Sequence, residues 1–449
     1  MMNFSTAPRA NINILRAWCR YITRETQKSV SKQPETTMEG IKQQGRKKEF
    51  SAGGSNIRGM QLYEIGPLRL QEHSLKTVKA YVSRGHLQHN ARVIRGRCGE
   101  QVKLCAMVKA NGYGHDAKMV VSALNGGQVD GFAVSSIEEA EQIYPFVQGR
   151  GLLVTCPFFA GMDPELVRLA QMRSFHGTVC TVSALEYLNK TVLANGPRLK
   201  LHVKVETGMG RLGCGPDELG LLVNRINATG SFVLAGVYSH FASADDADLS
   251  YTYLQLDRFN EILLRNGLDR QVSVVKHAAN TSATWRVPES HYDMVRCGLG
   301  LYGYLGYDNT GAAPVGLRPV LRVEAPVVQI KRLAQGQSCG YGRSYIAPRD
   351  MVIGVVPIGY ADGLFRQLSN RACMRYGDRK LPIIGRISMD LTIVDLTEVR
   401  NPSEGMSVVV MDDQADSYAG ATGLARLAGT IPYEILTGIG NRVKRVLCD

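Results

Sequence analysis

The sequence lacks any uncharged apolar run of the roughly 18 residues that a membrane-spanning helix requires. The chain has 449 residues, of which 44% are hydrophobic and 21% charged, so it can bury a large core in one to three domains. These observations argue against a membrane-spanning protein and predict an ordinary globular one.

The ten cysteines lack C-x-x-C pairs and the close spacing of a disulfide framework or a zinc site. We therefore predict reduced thiols, a cytoplasmic location and no bound metal. The sequence also lacks the basic stripe interleaved with aromatics that nucleic-acid grooves use. Residues 1–60 carry net +7 of the total charge of +13, so the remaining chain is nearly ordinary and we expect no nucleic-acid partner.

Residues 1–74 form a basic extension whose polar composition predicts disorder. Between residues 11 and 28, apolar and basic residues each recur every four positions, which predicts an amphipathic helix. Such an acid-poor opening is typical of organelle targeting or of a membrane surface. The alternative, a dispensable extension, is favoured by the polar segment 28–59 and by later methionines at Met38 and Met60.

From about residue 77, short apolar runs alternate with amphipathic segments. The predicted strands are 102–109, 131–134, 151–155, 177–181, 200–205 and 233–238, and the predicted helices are 137–144, 163–172, 184–194 and 216–227. This α/β alternation favours a (β/α)8 TIM barrel over residues 75–310, with a doubly wound open sheet as the alternative.

The pattern of apolar segments changes after about residue 304. The apolar segments 320–330, 351–357, 380–384, 388–394 and 407–411 are short, closely spaced and joined by Gly and Asp turns, with one convincing helix at about 421–428. We predict a second, mostly β domain over residues 311–449.

Lys109 ends an apolar strand and is followed directly by a glycine-bearing turn. In a barrel this places an amine at the C-terminal mouth, where active sites of that fold lie. Desolvation there lowers the pKa of a lysine and leaves it competent to form a Schiff base. By itself the signal is weak, because lysines at strand ends are usually solvated.

A literal G-x-G-x-x-G motif spans residues 208–213. Dinucleotide binding requires that a helix open within the motif and that an acidic residue follow the next strand. Neither requirement is met, so we do not expect nicotinamide binding.

Further polar clusters follow predicted strands at residues 239–241, 277–282 and 296–303. Small residues with free backbone N–H groups after the last strands of a barrel form a phosphate cradle, and Asn280, Thr281, Gly298 and Leu299 suit that role. Ordinary turn chemistry is the alternative for each cluster, and His240 alone would more often be a structural histidine.

Five motifs together resemble the alanine racemases, which are pyridoxal-phosphate (PLP) enzymes with an N-terminal barrel and a C-terminal β domain. In chain order they are MVKANGYGH at 107–115, ETGMGRLG at 206–213, SHFASAD at 239–245, IGYADG at 358–363 and GRISMD at 385–390. The resemblance covers residues 75 to about 446. It implies interconversion of L- and D-alanine, which supplies D-alanine for peptidoglycan, by a homodimer with shared active sites.

The resemblance also implies residue roles. Lys109 would hold PLP and act as one base, and Tyr341 of the partner subunit would be the other, because racemisation needs two groups on opposite faces of the substrate Cα. Arg296 would lie against the pyridine nitrogen, and His240 would belong to the network that lowers the pKa of Tyr341. The remaining assignments are Tyr113, Asn280, Thr281, Gly298 and Leu299 for the phosphate, Arg211 and Met389 for the substrate carboxylate, and Lys204, Tyr360 and Asp390 as supporting residues.

The chain departs from the family pattern at three positions. Thr281, Cys297 and Asn441 stand where the family usually has serine, proline and, in many members, tyrosine. Thr281 keeps the hydroxyl, whereas Asn441 leaves substrate breadth open. The alternatives to alanine racemisation are a broad-specificity racemase, a decarboxylase on the same barrel type, and a non-enzymatic PLP-binding protein, which the β domain argues against.

Overall fold

The computed structural model of the chain describes residues 77–306, 316–414 and 417–449. The predicted extension 1–74, with its amphipathic helix at 11–28, lies outside the described residues. No helix within the described part of the chain is long and apolar enough to cross a membrane.

After a first strand, β1 (Lys79–Ser83), eight parallel strands form one sheet in the order β8-β7-β6-β5-β4-β3-β2-β9. They are β2 (Lys103–Met107), β3 (Gly131–Val134), β4 (Gly151–Pro157), β5 (His176–Val179), β6 (Leu199–Lys204), β7 (Phe232–Tyr238), β8 (Val275–His277) and β9 (Met294–Cys297). Hydrogen bonds from Asp293 N to Lys276 O and from Arg296 N to Ala279 O join the two ends of the sheet. The predicted (β/α)8 barrel is confirmed.

Helices connect the barrel strands. They are α1 (Arg84–Cys98), α2 (Ala117–Ala123), α3 (Ile137–Ile143), α4 (Pro164–Met172), α5 (Val182–Thr191), α6 (Pro216–Ala228), α7 (Ser250–Arg265) and α8 (Thr281–Arg286). Several begin at side-chain caps that the sequence supplies: Ser136, Asp163 and Thr181 each accept a hydrogen bond from a backbone N–H in the first turn. The strands between them are nearly continuous apolar runs, because parallel barrel strands are covered on both faces.

The C-terminal part of the chain is mostly β, as predicted. Its strands are β10 (Leu321–Pro326), β11 (Gln329–Leu333), β12 (Ser338–Cys339), β13 (Tyr345–Ile346), β14 (Met351–Val356), β15 (Cys373–Tyr376), β16 (Arg379–Pro382), β17 (Thr392–Asp395), β18 (Ser407–Met411) and β19 (Lys444–Cys448). They form a six-stranded sheet (β16-β15-β18-β10-β1-β19), a three-stranded sheet (β11-β14-β17) and the pair β12-β13.

Strand β1 belongs to this C-terminal sheet, although it precedes the barrel in the chain. It pairs antiparallel with β10 and parallel with β19. The sequence predicts this segment as part of the barrel, because strand pairing over such sequence separations leaves no local signal. The division of the chain at residue 310 stays a prediction.

Two helices complete the C-terminal part, α9 (Ala421–Ala428) and α10 (Pro432–Gly438). The first was predicted, and the second was not. Helix α10 packs against the turn that follows β2: the rings of Tyr433 and Tyr113 lie 5.9 Å apart, and a Cβ at Gly114 would overlap the carbonyl oxygen of Leu436. Gly114 also has φ +82°, so both space and backbone conformation require glycine. The C-terminal part therefore contacts the turn that begins at Lys109.

Candidate active site

Lys109 opens a left-handed turn directly after β2. Ala110, Asn111, Gly112 and Tyr113 have φ values of 52°, 52°, 64° and 51°. Three of them carry side chains, for which this conformation costs about 1–2 kcal/mol per residue. Such strain persists where the surroundings over-determine the backbone, and it clusters at functional sites. Glu139 is one such support, because its carboxylate accepts hydrogen bonds from Ala110 N and Ser135 N, each at 2.8 Å.

The ammonium group of Lys109 lies in a partly buried, cationic environment. Burial lowers its pKa most, and the positive charges of Arg211 and Arg296 lower it further, against an opposing effect from Glu139. A lowered pKa increases the fraction of neutral amine, which is the nucleophilic and basic form. Lys109 is thus prepared for both roles that the resemblance implies.

Arg296, at the end of β9, is only 5% exposed and is fixed by four acceptors. Its Nη1 donates to His277 Nδ1 at 2.7 Å. Its Nη2 lies within hydrogen-bonding distance of Ser239 O, Ala278 O and His240 Nδ1, at 2.9, 3.1 and 3.2 Å. Its Nε has no protein acceptor among the described residues, so one N–H remains available to a ligand.

His240 follows β7 and is held as a neutral imidazole. Because arginine can only donate, the 3.2 Å contact with Arg296 requires that His240 Nδ1 be unprotonated and that the ring proton lie on Nε2. Burial lowers the pKa of His240 well below its usual value, and the charges of Arg296, Lys204, Arg211 and Lys109 lower it further. His240 therefore presents a donor at Nε2 to whatever faces it.

Thr281 organises the loop after β9. Its hydroxyl oxygen accepts hydrogen bonds from Gly298 N and Gly300 N, both at 3.2 Å. Asn280 caps α8 by accepting from Ala283 N at 2.9 Å, and Leu299 is buried. A Cβ at Gly298 would overlap the hydroxyl oxygen of Tyr113, so glycine keeps that hydroxyl in place. The backbone N–H groups of Gly298 and Gly300 are thus used in turn hydrogen bonds within the loop.

Lys204 ends β6 with its side chain almost fully buried. Burial lowers the pKa of Lys204 to about 8, with Arg211 and Arg296 as further causes. Its Nζ lies 5.7 Å from the centre of the Tyr238 ring, and no hydrogen-bond or ion-pair partner is found for it among the described residues. Arg211 is exposed at the mouth, where its backbone N–H donates to Glu206 at 3.1 Å.

The assigned residues of the C-terminal part lie on its surface. Tyr341 is 70% exposed, in the turn between β12 and β13, and it makes no hydrogen bond or ring contact through its side chain within the described part of the chain. Met389 is 53% exposed, and Tyr360 lies beside it, with Tyr360 N donating to Ser388 O at 3.1 Å. Asp390 is paired with Arg442 at 2.8 Å.

The structure thus brings one set of predicted residues together at the barrel mouth and leaves another apart. The first set is Lys109, Tyr113, Lys204, Arg211, His240, Asn280, Thr281, Arg296, Gly298 and Leu299. The second set is Tyr341, Tyr360, Met389 and Asp390, on the C-terminal part. Residue roles in catalysis stay predictions.

Sequence reasoning missed one of the residues that join the two parts. Arg445, in β19, donates from Nε to Gly114 O at 3.0 Å and from Nη1 to Val443 O at 2.8 Å, with further bonds to Ile439 O and Gly440 O. One guanidinium therefore fastens the left-handed turn to the loop before β19. No local pattern marks it, because its acceptors are backbone carbonyls.

Family models decide which group of proteins this architecture represents. The model described as the alanine racemase N-terminal domain matches residues 82–306, and the one described as the C-terminal domain matches residues 320–447. The chain belongs to the alanine racemase family.

Relatives in this family are similar along nearly their whole length. The alanine racemase of Chlorobaculum tepidum is 36% identical over 375 residues, which are 82% of this chain and 95% of the relative. That of Desulfosudis oleivorans is 33% identical over 372 residues, 80% of this chain and 94% of the relative.

Solved structures give the same result. The alanine racemase from D-cycloserine-producing Streptomyces lavendulae has a TM-score of 0.78 and 31% identity, covering 84% of this chain and 98% of its own. The biosynthetic alanine racemase from Pseudomonas aeruginosa has a TM-score of 0.74 and 30% identity, covering 84% and 100%.

Proposed function

We propose that this protein is a PLP-dependent alanine racemase that interconverts L- and D-alanine and supplies D-alanine for peptidoglycan. The observation that carries the proposal is Lys109: in a chain of the alanine racemase family, a lysine of lowered pKa stands in a strained left-handed turn at the barrel mouth.

The residues at the mouth fit PLP. The lack of a Cβ at Gly298 leaves room for the Tyr113 hydroxyl, which can donate to a phosphate, and Thr281 holds the neighbouring loop. The free Nε–H of Arg296 suits an acceptor such as a pyridine nitrogen. Lys109 would hold the aldehyde carbon. When bound, PLP supplies an electron-accepting ring that stabilises negative charge at the substrate Cα.

Two bases must then face each other across the substrate. Lys109 Nζ would take the Cα proton on one face, and the hydroxyl of Tyr341 would deliver one on the other, with the roles exchanged for the reverse direction. Because Tyr341 is exposed and its side chain makes no hydrogen bond or ring contact among the described residues, we infer that a second copy supplies it, which makes the active unit a homodimer. The Nε2–H of His240 is available to stabilise a deprotonated Tyr341.

The substrate carboxylate would be bound by cationic and backbone donors. Arg211 is exposed at the mouth and close enough to Lys109 to lower its pKa, which suits an anion placed between them. The backbone N–H of Met389 would complete this site from the second copy. Lys204, Tyr360 and Asp390 would support these groups, Asp390 through its ion pair with Arg442.

Incubation of the purified protein with PLP and L-alanine in deuterium oxide tests the proposal. We expect loss of optical rotation together with loss of the Cα–H signal by NMR. Exchange without racemisation would contradict the two-base assignment. If neither the optical rotation nor the Cα–H signal is lost, that result would contradict racemase function. A panel with serine, lysine and arginine at the same concentration distinguishes a broad-specificity racemase.

A further inference from the structure

Three histidines form a hydrogen-bonded row inside the barrel, beyond Arg296. His277 is the last residue of β8, His202 lies within β6, and His176 is the first residue of β5. His277 Nε2 lies 2.9 Å from His202 Nδ1, and His202 Nε2 lies 3.0 Å from His176 Nδ1. The row extends from Arg296 near the mouth to the opposite end of β5.

Arginine fixes the direction of every hydrogen bond in this row. Arg296 can only donate, so His277 must accept at Nδ1 and carry its proton on Nε2. That proton is donated to His202 Nδ1, which forces the proton of His202 onto Nε2. His202 in turn donates to His176 Nδ1. Each imidazole is thus neutral and has the same tautomer.

Strand β7 lies between β6 and β8 and has a glycine at the point where the row crosses it. His202 is opposite Gly236, at a register shift between Leu201 and His202 in the pairing of β6 with β7. A Cβ at position 236 would overlap His202 Nδ1 and would lie 2.7 Å from Val275 O. Only glycine therefore allows an imidazole on β6 to reach one on β8 across the intervening strand.

We propose that His202 and His176 are positioning residues that act through His277 on Arg296 and hold its guanidinium in one orientation at the site. This proposal rests on the proposed function, since it assigns the row to the arginine that would face the PLP ring. Without the row, His277 would be free to rotate or to change tautomer, and Arg296 would lose its shortest hydrogen bond.

The groups that face the row favour neutral rings. Lys103 and Lys200 lie near His176, Arg296 lies near His202 and His277, and the Tyr238 ring stacks on His277 with centroids 4.7 Å apart. Burial and these cations lower the pKa of His176 to about 4. A proton added to any ring would place two N–H donors opposite each other, so the hydrogen bonds of the row also disfavour protonation.

The first test is ¹⁵N NMR of the full-length protein with ¹⁵N-labelled histidine, without and with PLP. We expect His176, His202 and His277 to be protonated at Nε2 alone between pH 6 and 8. A Nδ1-protonated or cationic ring at any of the three would overturn the proposal. This outcome does not depend on activity, so it is distinct from failure of racemisation.

The second test compares His176→Leu, which removes the terminal acceptor, with His176→Gln, whose amide oxygen can accept from His202. We expect kcat to fall about tenfold in His176→Leu with the KM for alanine nearly unchanged, and to recover in His176→Gln. His89→Leu is the matched control, at a histidine on α1 whose side chain, among the described residues, bonds Gly316 O and lies outside the row. Wild-type kcat in His176→Leu, or equal losses in both His176 variants, would overturn the proposal.

Discussion

Arg445 Nε donates a hydrogen bond to the carbonyl oxygen of Gly114, at 3.0 Å, across more than 300 residues of sequence. This contact ties the last strand of the C-terminal sheet to the left-handed turn that presents Lys109. The position of the lysine is therefore determined by both parts of the protein, and not by the barrel alone.

Arg445→Met should destabilise the protein and weaken PLP binding. The substitution removes the Arg445 donors to the carbonyl oxygens of Gly114, Val443, Ile439 and Gly440, and the loss of several charge-assisted hydrogen bonds costs about 3 kcal/mol or more. Urea unfolding and a PLP titration followed by absorbance measure the two effects. Lys444→Met, at the exposed neighbour on β19, should change neither. Equal stability of the two variants would contradict this role of Arg445.

Gly298→Ala should impair PLP binding with little change in fold. The added methyl group would displace the Tyr113 hydroxyl, which is part of the predicted phosphate site. We expect PLP affinity to fall at least about tenfold, because one misplaced donor to an ionic group is worth about 1.5–3 kcal/mol. Gly230→Ala is the matched control, since a Cβ there meets no atom within 4 Å. Unchanged affinity in Gly298→Ala would remove this loop from the phosphate site.

Stability should fall as the pH is lowered from about 6.5 towards 4. Burial lowers the pKa of both His115 and His176 to about 4, and it lowers those of His202, His240 and His277 well below 6.5. In this window the unfolded chain binds more protons than the folded one, so acid favours unfolding. Thermal unfolding at intervals of half a pH unit measures the loss. A melting temperature that is constant between pH 7 and 4.5 would contradict neutral buried histidines.

The fold was predictable where local patterns sufficed. Strand 131–134 and strand 407–411 were predicted with their observed bounds, because buried strands are continuous apolar runs between turn residues. The segment 320–330 was predicted as one strand but forms parts of two, β10 and β11, with Val327 and Val328 between them. The residues of an apolar run do not indicate where one strand ends and the chain enters another sheet.

The residues that meet at the barrel mouth could be named from the sequence as candidates, but their geometry could not. Lys109 stood out because it ends a strand before a glycine turn, and the structure places it at the mouth. Nothing in the sequence indicates the positive φ angles of Ala110 and Tyr113, since neither residue type favours that conformation. The row from Arg296 to His176 was equally hidden, because its members are separated by up to 120 residues and meet only when the barrel closes.

In the proposed mechanism, Lys109 of one copy and Tyr341 of another act on the same substrate. Mixing two variants, Lys109→Ala and Tyr341→Phe, tests it most directly: each should be inactive alone, yet after unfolding and refolding together half of the dimers should contain one intact site. We predict recovery of about a quarter of wild-type racemisation of L-alanine, measured by optical rotation. Absence of any recovery in dimers shown to have mixed would contradict the shared two-base site.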